Sequence, residues 1–261
     1  MLTKTRVPAG DYVINPYAGC PHKCLYCYAE FMKRFTNHAE KWGDFLDVKR
    51  CAKKINTTRL AGKRIVISSV TDAYNPYEKK YRVTRELLRQ FVNTQAHISI
   101  LTKSDLVLRD IDLFKQIQNI QVGVSLNTLD DSIREKLEPF ASSVAKRIGA
   151  VQKLRDAGIH TYVFLSPMFP GITDFKAIIA ECKSFAGEFW FENLNLRGSF
   201  RHAVMRYISE YHPGLSSLYN EIYRLKDSDY WAVMEKEIAV FCRKNNIAFT
   251  SYFYHEKIKK H

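Results

Sequence analysis

Between residues 64 and 198 the chain alternates short β-branched runs with stretches of helical periodicity, and this alternation restricts the folds open to it. "RIVISSV" (64–70) reads as a strand, and "RELLRQFV" (85–92) follows with Leu87, Leu88 and Phe91 on one helical face. "HISILTK" (97–103) precedes the helical "LVLRDIDLFKQI" (106–117). "IQVGVSL" (120–126) leads to a helix start where Thr128 and Asp131 have capping-box spacing. "KRIGAVQKLRDAG" puts Ile148, Val151 and Leu154 on one side and ends at Gly158, a glycine suited to a helix C-terminus. "TYVFLSP", the helical "DFKAIIAECKSF" and "EFWFENLNLRG" complete the series, and "YVIN" supplies a short strand ahead of it. Six strand–helix units predict a parallel α/β sheet. Six is fewer than the eight of a closed barrel, so the expected fold is a partial (β/α)6 TIM-like barrel over residues 1–198. Residues 199–261 break the pattern. They predict helices near 202–224 and 228–245 and an aromatic strand, "IAFTSYFY", as a C-terminal extension packing on one side of the barrel.

Parallel β/α folds gather their sites at the C-terminal ends of the strands. Here those ends are polar in succession. A cysteine loop follows the first, and Ser68, Ser69, Thr71 and Asp72 follow the second. Thr102, Lys103 and Ser104 end the third, and Ser125 and Asn127 the fourth. Ser166 and "PMFPG" follow the fifth, and Asn193, Asn195 and Arg197 end the sixth. Six such ends predict a lined cavity.

The cysteine loop, "INPYAGCPHKCLYCYAEF" (14–31), holds Cys20, Cys24 and Cys27 in C-x3-C-x2-C spacing. The chain has 46% hydrophobic residues, enough for a sizeable core without disulfide staples. No apolar run reaches bilayer length, and "MLTKTRVPAGDY" has no signal-peptide stretch, so a cytoplasmic, non-membrane protein is the expectation. In a reducing compartment, clustered thiols point to metal or redox chemistry. Two metal readings stand. Structural zinc wants a fourth ligand, and His22 is inside the loop, but two residues from both Cys20 and Cys24 it is poorly spaced to join them. An iron–sulfur cube takes one thiolate per iron and would leave one iron open. Cys51, Cys182 and Cys242 are scattered through helical segments and read as buried free thiols.

The aromatic residue before the third cysteine, together with the C-x3-C-x2-C spacing, resembles the radical S-adenosylmethionine superfamily. "NPYAGCPHKCLYCYA" resembles its spore photoproduct lyase-like branch. "SSVTDAYNPYEKKYRVTRELL", "ILTKSDLVLRDIDLF", "VSLNTLDDSIREKLEP", "KRIGAVQKLRDAGI" and "SPMFPGITD" resemble that branch's successive blocks, over residues 11–198. In size the chain is similar to the branch's compact, mobile-element-borne members. The resemblance implies that Cys20, Cys24 and Cys27 hold a [4Fe–4S] cluster whose open iron binds S-adenosylmethionine (SAM). It implies a flavodoxin- or ferredoxin-like electron donor. It assigns Lys103 to the methionine carboxylate and Thr71 with Asp72 to its amino group. Ser125 and Asn127 would contact ribose or carboxylate, Tyr26 would pack near adenine, and Ser166 would lie at an adenine contact. Ser69, in the same cofactor-binding strand end, matches the position where true lyases carry a hydrogen-donating cysteine. A serine hydroxyl donates hydrogen atoms poorly, which argues against photoproduct repair. Tyr28 matches a tyrosine of the lyase radical relay and is the catalytic candidate.

Plainer roles compete for these residues. Lys103 is also a surface lysine at a strand end, Ser125 and Asn127 also begin a turn, and Thr71–Asp72 is also an ordinary loop. Tyr28, Tyr74 and Tyr77 also pack, Asn75, Asn195 and Arg197 are undecided, and Gly171 supplies positive φ to a rigid "PMFPG" turn. The formal charge is +13, and residues 49–89 carry twelve Lys or Arg against Asp72, Glu78 and Glu86. That block can steer a polyanion such as nucleic acid, or it can line solvated helix faces. Three functions follow: a radical enzyme acting on a macromolecule such as nucleic acid, a radical enzyme modifying a protein or small molecule, and a non-catalytic zinc-stabilised nucleic-acid-binding module.

Overall fold

The structure is a computed structural model that describes residues 2–5, 7, 10–49, 54–225 and 229–253. Among the described residues, the strands are β1 (Leu2–Lys4), β2 (Tyr12–Ile14), β3 (Tyr17–Ala18), β4 (Asp47–Val48), β5 (Arg64–Ile67), β6 (His97–Thr102), β7 (Asn119–Ser125), β8 (His160–Met168), β9 (Glu188–Asn193) and β10 (Phe249–Ser251). Eight of them form one sheet in the order β1-β2-β5-β6-β7-β8-β9-β10. β1 pairs antiparallel with β2, and every later pair is parallel. The six expected strands are thus consecutive in space, as expected for a partial barrel, and the C-terminal extension adds β10 beside β9.

The helices are α1 (Glu78–Tyr81), α2 (Val83–Arg89), α3 (Ile111–Phe114), α4 (Asp131–Leu137), α5 (Val144–Asp156), α6 (Phe175–Cys182), α7 (Phe200–Tyr211), α8 (Ser216–Tyr223) and α9 (Asp229–Lys244). They bury the periodic face that the sequence marks. Leu87 and Leu88 of α2, Val151 and Leu154 of α5, and Ile178 and Ile179 of α6 join strand residues such as Ile67, Ile100, Val122 and Val163 in one core. Gly123 has a packing reason. A Cβ there would lie 2.2 Å from the Tyr162 ring, so only glycine lets that ring cross β7.

Four sequence expectations are corrected. Asp130, not the Thr128–Asp131 pair, caps α4. Its carboxylate accepts from the Ser132 and Ile133 amides, while the Thr128 hydroxyl accepts from Asp130 N. The helix expected over 202–224 is two, because Pro213 has no amide to donate and disfavours helical backbone at His212. The helix expected over 106–117 is a 3-10 segment (Asp105–Asp110) followed by α3. β5 stops at Ile67 because Ser68 turns left-handed (φ 70°). Cys182 and Cys242 are buried free thiols, and Cys51 lies outside the described residues.

A buried ionic network ties the base of the cysteine loop to the helices after β5. The Glu78 carboxylate is fully buried. It accepts from the Tyr17 hydroxyl on β3 and from the Thr84 and Arg85 amides, and it pairs with Arg109 at 2.6 Å. Asp110 is equally buried between Arg85 and Arg109, both at 2.7 Å, and accepts from the Tyr74 hydroxyl at 3.1 Å. Removing one partner of such a network strands the other without solvent. Glu78→Ala should therefore lower the unfolding free energy by about 3–5 kcal/mol in urea denaturation. Glu86→Ala on the exposed side should change it by less than about 0.5 kcal/mol. Equal effects would refute the network's role.

Candidate functional site

The segment carrying the three cysteines is an excursion clamped at its base. β3 pairs antiparallel with β4, so the chain leaves the sheet after Ala18 and returns at Asp47. Gly19 is left-handed (φ 85°), and a Cβ there would come within 2.3 Å of the Phe45 carbonyl oxygen, so the excursion closes only over glycine. Tight turns then stack the cysteines, with Lys23 N donating to Cys20 O (3.3 Å) and Cys27 N to Cys24 O (3.2 Å). Leu25 N donates to Leu137 O at 2.8 Å, docking the loop on the end of α4. All three thiols face one cavity of about 460 Å³ at the C-terminal ends of the strands.

Burial sets the thiols' chemistry. It pushes Cys20 up to about 12, with the Asp72 charge adding to the effect. It pushes Cys24 well above the ordinary thiol range despite the Lys103 ammonium, and it raises Cys27 despite the Trp42 indole N–H. A cation bound by the three cysteines would oppose that rise. Among the described residues no three His, Cys, Asp or Glu side chains are placed to hold a single metal ion. His22 is 2% exposed and turns Nδ1 to Asp72 Oδ2 at 3.4 Å. With His22 turned away, three cysteines leave a closed zinc site one ligand short, whereas a cube with one open iron takes three, so the donor set fits a cluster better than a single zinc.

Asp72 connects three elements. Its carboxylate accepts from the Thr102 hydroxyl (2.7 Å), Lys103 N (2.8 Å) and Tyr74 N (2.8 Å). Burial alone would raise its pKa; His22, Thr102 and the Lys103 amide outweigh it and hold the carboxyl at about 2. Thr71 donates to Gly19 O at 2.7 Å, locking the second strand end to the cysteine loop. Ser69 N donates to Asn15 Oδ1 at 2.8 Å, and its carbonyl accepts from the Tyr28 hydroxyl. Tyr28 stands at the cavity rim, 58% exposed.

Lys103 lies half-buried, its ammonium 5.8 Å from the Tyr26 ring centroid. Burial opposes its charge, but Glu138 and Cys24 raise its pKa overall. The Tyr26 hydroxyl donates to Glu138, which also ion-pairs with the buried Arg147. Arg147 in turn donates to the Ser125 carbonyl at 3.2 Å. Ser125 is 1% exposed, and its Oγ has no hydrogen-bond partner among the described residues. Ser166 lines the cavity and donates to Glu192 at 2.5 Å.

The structure thus brings Cys20, Cys24, Cys27, Tyr26, Tyr28, Ser69, Thr71, Asp72, Lys103, Ser125 and Ser166 into the lining of one cavity. Asn127 stands behind that lining. It is buried, with Nδ2 3.4 Å from Tyr26 Oη and 3.3 Å from Glu138 Oε1. Tyr74 and Asn75 are buried in structural contacts, Tyr77 is exposed, and Asn195 and Arg197 reach the cavity rim. Sequence reasoning missed Glu138, Arg147, Trp190, Glu192 and Tyr252. Nothing in the sequence marks Glu138, just past α4, and Arg147 of α5 as a pair, and their buried ion pair appears only in the fold.

A family model described as the Radical SAM superfamily matches residues 14–180. An uncharacterised protein of Methanocaldococcus jannaschii is 39% identical over 241 residues, covering 92% of each chain. A Radical SAM Nalpha-GlyT isomerase of Pseudomonas phage M6 is 30% identical over 169 residues, 60% of this chain and 33% of that protein. A solved structure of spore photoproduct lyase with bound AdoMet and dinucleoside spore photoproduct superposes with a TM-score of 0.56 at 17% identity, over 82% of this chain and 64% of the lyase. SuiB of Streptococcus suis bound to S-adenosylmethionine superposes with a TM-score of 0.55 at 14% identity, over 93% of this chain and 47% of SuiB. At such identities the structural likeness speaks for the fold.

The Glu138–Arg147 pair gives this site its test. Arg147→Met strands a buried carboxylate and should cost about 3–5 kcal/mol in urea denaturation. Adding Glu138→Gln should recover part of that loss, and strictly additive effects would show that the two do not interact.

Proposed function

The chain belongs to the radical SAM superfamily and is a radical SAM enzyme, and we propose that Cys20, Cys24 and Cys27 hold its [4Fe–4S] cluster, with SAM in the adjoining cavity. The cluster, when bound, supplies the electron that cleaves SAM to methionine and a 5′-deoxyadenosyl radical able to take a hydrogen atom from substrate. The observation that carries this reading is that the three cysteines line one cavity with Lys103 and with Ser125, whose hydroxyl has no partner among the described residues.

In this reading Lys103 is the point charge for the methionine carboxylate, its side chain steadied by Tyr26 and Glu138. Ser125 offers the cofactor a hydroxyl that the chain leaves unused. Asp72 has its carboxylate filled by Thr102, Lys103, Tyr74 and His22, so it orients Lys103 and the loop, leaving the cofactor's amino group nearer Thr71 and the Ser68–Ser69 turn. Asn127 acts through Tyr26 and Glu138. Ser166 contributes to the adenine end of the cavity. Tyr28, bonded to the Ser69 carbonyl at the cavity rim, is the candidate relay for a hydrogen atom or electron. A flavodoxin- or ferredoxin-like protein supplies the electron.

A nucleic-acid substrate is the second part of the proposal. Its support is the exposed Lys79, Lys80 and Arg82, which follow the C-terminal end of β5, together with the exposed Tyr28, Phe31 and Phe35 and the Arg34 guanidinium over the last two rings. The basic block is not one face. Arg59, Lys63 and Arg64 lie at the opposite end of β5, and Arg64, Arg85 and Arg89 are paired with acids. The alternative substrate is a protein or small molecule.

Two outcomes are expected. Anaerobically reconstituted protein should be brown, bind about four irons per chain and form 5′-deoxyadenosine from SAM under reduction. Cys24→Ala should abolish both, and a colourless protein with one zinc would end the reading. Single-stranded DNA should bind with an affinity that falls steeply between about 50 and 200 mM salt. No binding at low salt would leave the protein or small-molecule substrate.

A further inference from the structure

The cavity has two unlike halves. The cysteine loop and the ends of β5 to β7 give it thiols, hydroxyls and charge, and the proposed cofactor uses these. β8, β9 and β10 face it with Tyr162, Phe164, Trp190 and Tyr252, for which that reading has no role. Tyr162 and Trp190 stack with ring centroids 3.8 Å apart. Phe164 and Tyr252 meet Trp190 edge-on at 6.1 and 5.4 Å. Phe164 and Tyr252 are only half-buried, so part of each ring is open to the cavity.

Two polar atoms on this side are buried without a partner among the described residues. Trp190 is 8% exposed and its Nε1–H donates to nothing; Asn193 is 3% exposed and its Oδ1 accepts from nothing. A buried donor and a buried acceptor left unmade are costly, and each calls for a partner. Both residues line the cavity. The aromatic wall favours a flat, π-faced group. The free donor calls for an acceptor on that group, and the free acceptor calls for a donor. An amide edge presents both.

Tyr252 comes from the C-terminal extension. β10 pairs in parallel with β9, matching Phe249 to Phe189 and Ser251 to Phe191, and Tyr252 N donates to Phe191 O at 2.7 Å. That bond carries the strand's register one residue further and turns the Tyr252 ring onto Trp190. The extension therefore completes the wall.

We infer that this half of the cavity is the substrate subsite, that it takes a planar unsaturated ring with an amide edge, and that Tyr252 is a specificity-determining residue. The inference rests on the reading of the other half as the cofactor's and extends it to the substrate.

Benzamide and cyclohexanecarboxamide test this. They carry the same amide, on a flat and on a puckered ring. Titrations followed by saturation-transfer NMR on reconstituted protein, with saturating SAM and no reductant, should show benzamide binding about fivefold more tightly, the worth of one aromatic contact. Tyr252→Ala should erase that preference and Tyr252→Phe should keep it. Trp190→Phe, which keeps a ring but loses the N–H, should weaken both amides alike. SAM affinity should be unchanged in each variant, which also reports that the fold is intact. Equal binding of the two probes, or a preference that survives Tyr252→Ala, would overturn the inference. Displacement of benzamide by SAM would overturn it too, because the wall would then belong to the cofactor. Failure to take up iron or cleave SAM would instead end the functional reading, while the ring preference would still be measured in cluster-free protein.

Discussion

Asp72 accepts hydrogen bonds from the Thr102 hydroxyl and from the Lys103 and Tyr74 amides, and His22 approaches it from the cysteine loop. One carboxylate thereby joins the end of β5, the end of β6 and the loop, three segments distant in sequence. A side chain so buried stays ionised only where several donors converge on it, and these outweigh the burial. The position of Lys103 follows from this bond, because its own amide is one of the donors. The loop is held a second time by Thr71, which bonds to Gly19 O beside the first cysteine. The thiol wall is thus fixed to the barrel by polar contacts at the strand ends, while the apolar core beneath keeps the strands in order.

The barrel was legible because each strand and helix carries its own local period. The apolar runs beginning at Arg64, His97 and Ile120 name strands that exist, within a few residues at each boundary. The errors came where a single residue overrode the period. Pro213 cut one helix in two, the left-handed Ser68 ended β5 early, and Asp130 took the cap from Thr128. The cysteine loop and Lys103 were legible from residue type and position at a strand end. Glu138 and Arg147 were not, since a charge on an amphipathic helix reads as solvent-facing until the partner helix is known. Trp190 and Tyr252 were hidden for the opposite reason. An aromatic residue in a strand reads as core, and nothing local distinguishes a ring that packs from one that also lines a cavity.

The basic block between Lys49 and Arg89 shows a third kind of limit. Counting charge along a sequence assumes that neighbours in the chain are neighbours in space. β5 runs through the middle of this block and sends Lys63 and Lys79 to opposite ends of one strand. Three of its arginines are spent on Asp11, Asp110 and Glu86. Among the described residues past the C-terminal end of β5, what remains is a short exposed cationic stretch at Lys79, Lys80 and Arg82, a smaller field than the sequence sum implies.

The balance of charge around the cavity bears on its chemistry. Its polar half is lined by Asp72 and Lys103, and the buried Glu138–Arg147 ion pair stands behind it. Burial opposes the Glu138 charge, but Arg147 and Lys103 lower its pKa overall, and Lys103 acts on two of the thiols as well. Burial is the largest cause of the rise at all three cysteines, with partial relief from Lys103 at Cys24 and Cys27. A cation bound by the three cysteines would favour their thiolate forms. With His22 turned to Asp72, three cysteines leave a tetrahedral zinc site one ligand short, whereas an iron–sulfur cube with one open iron takes three.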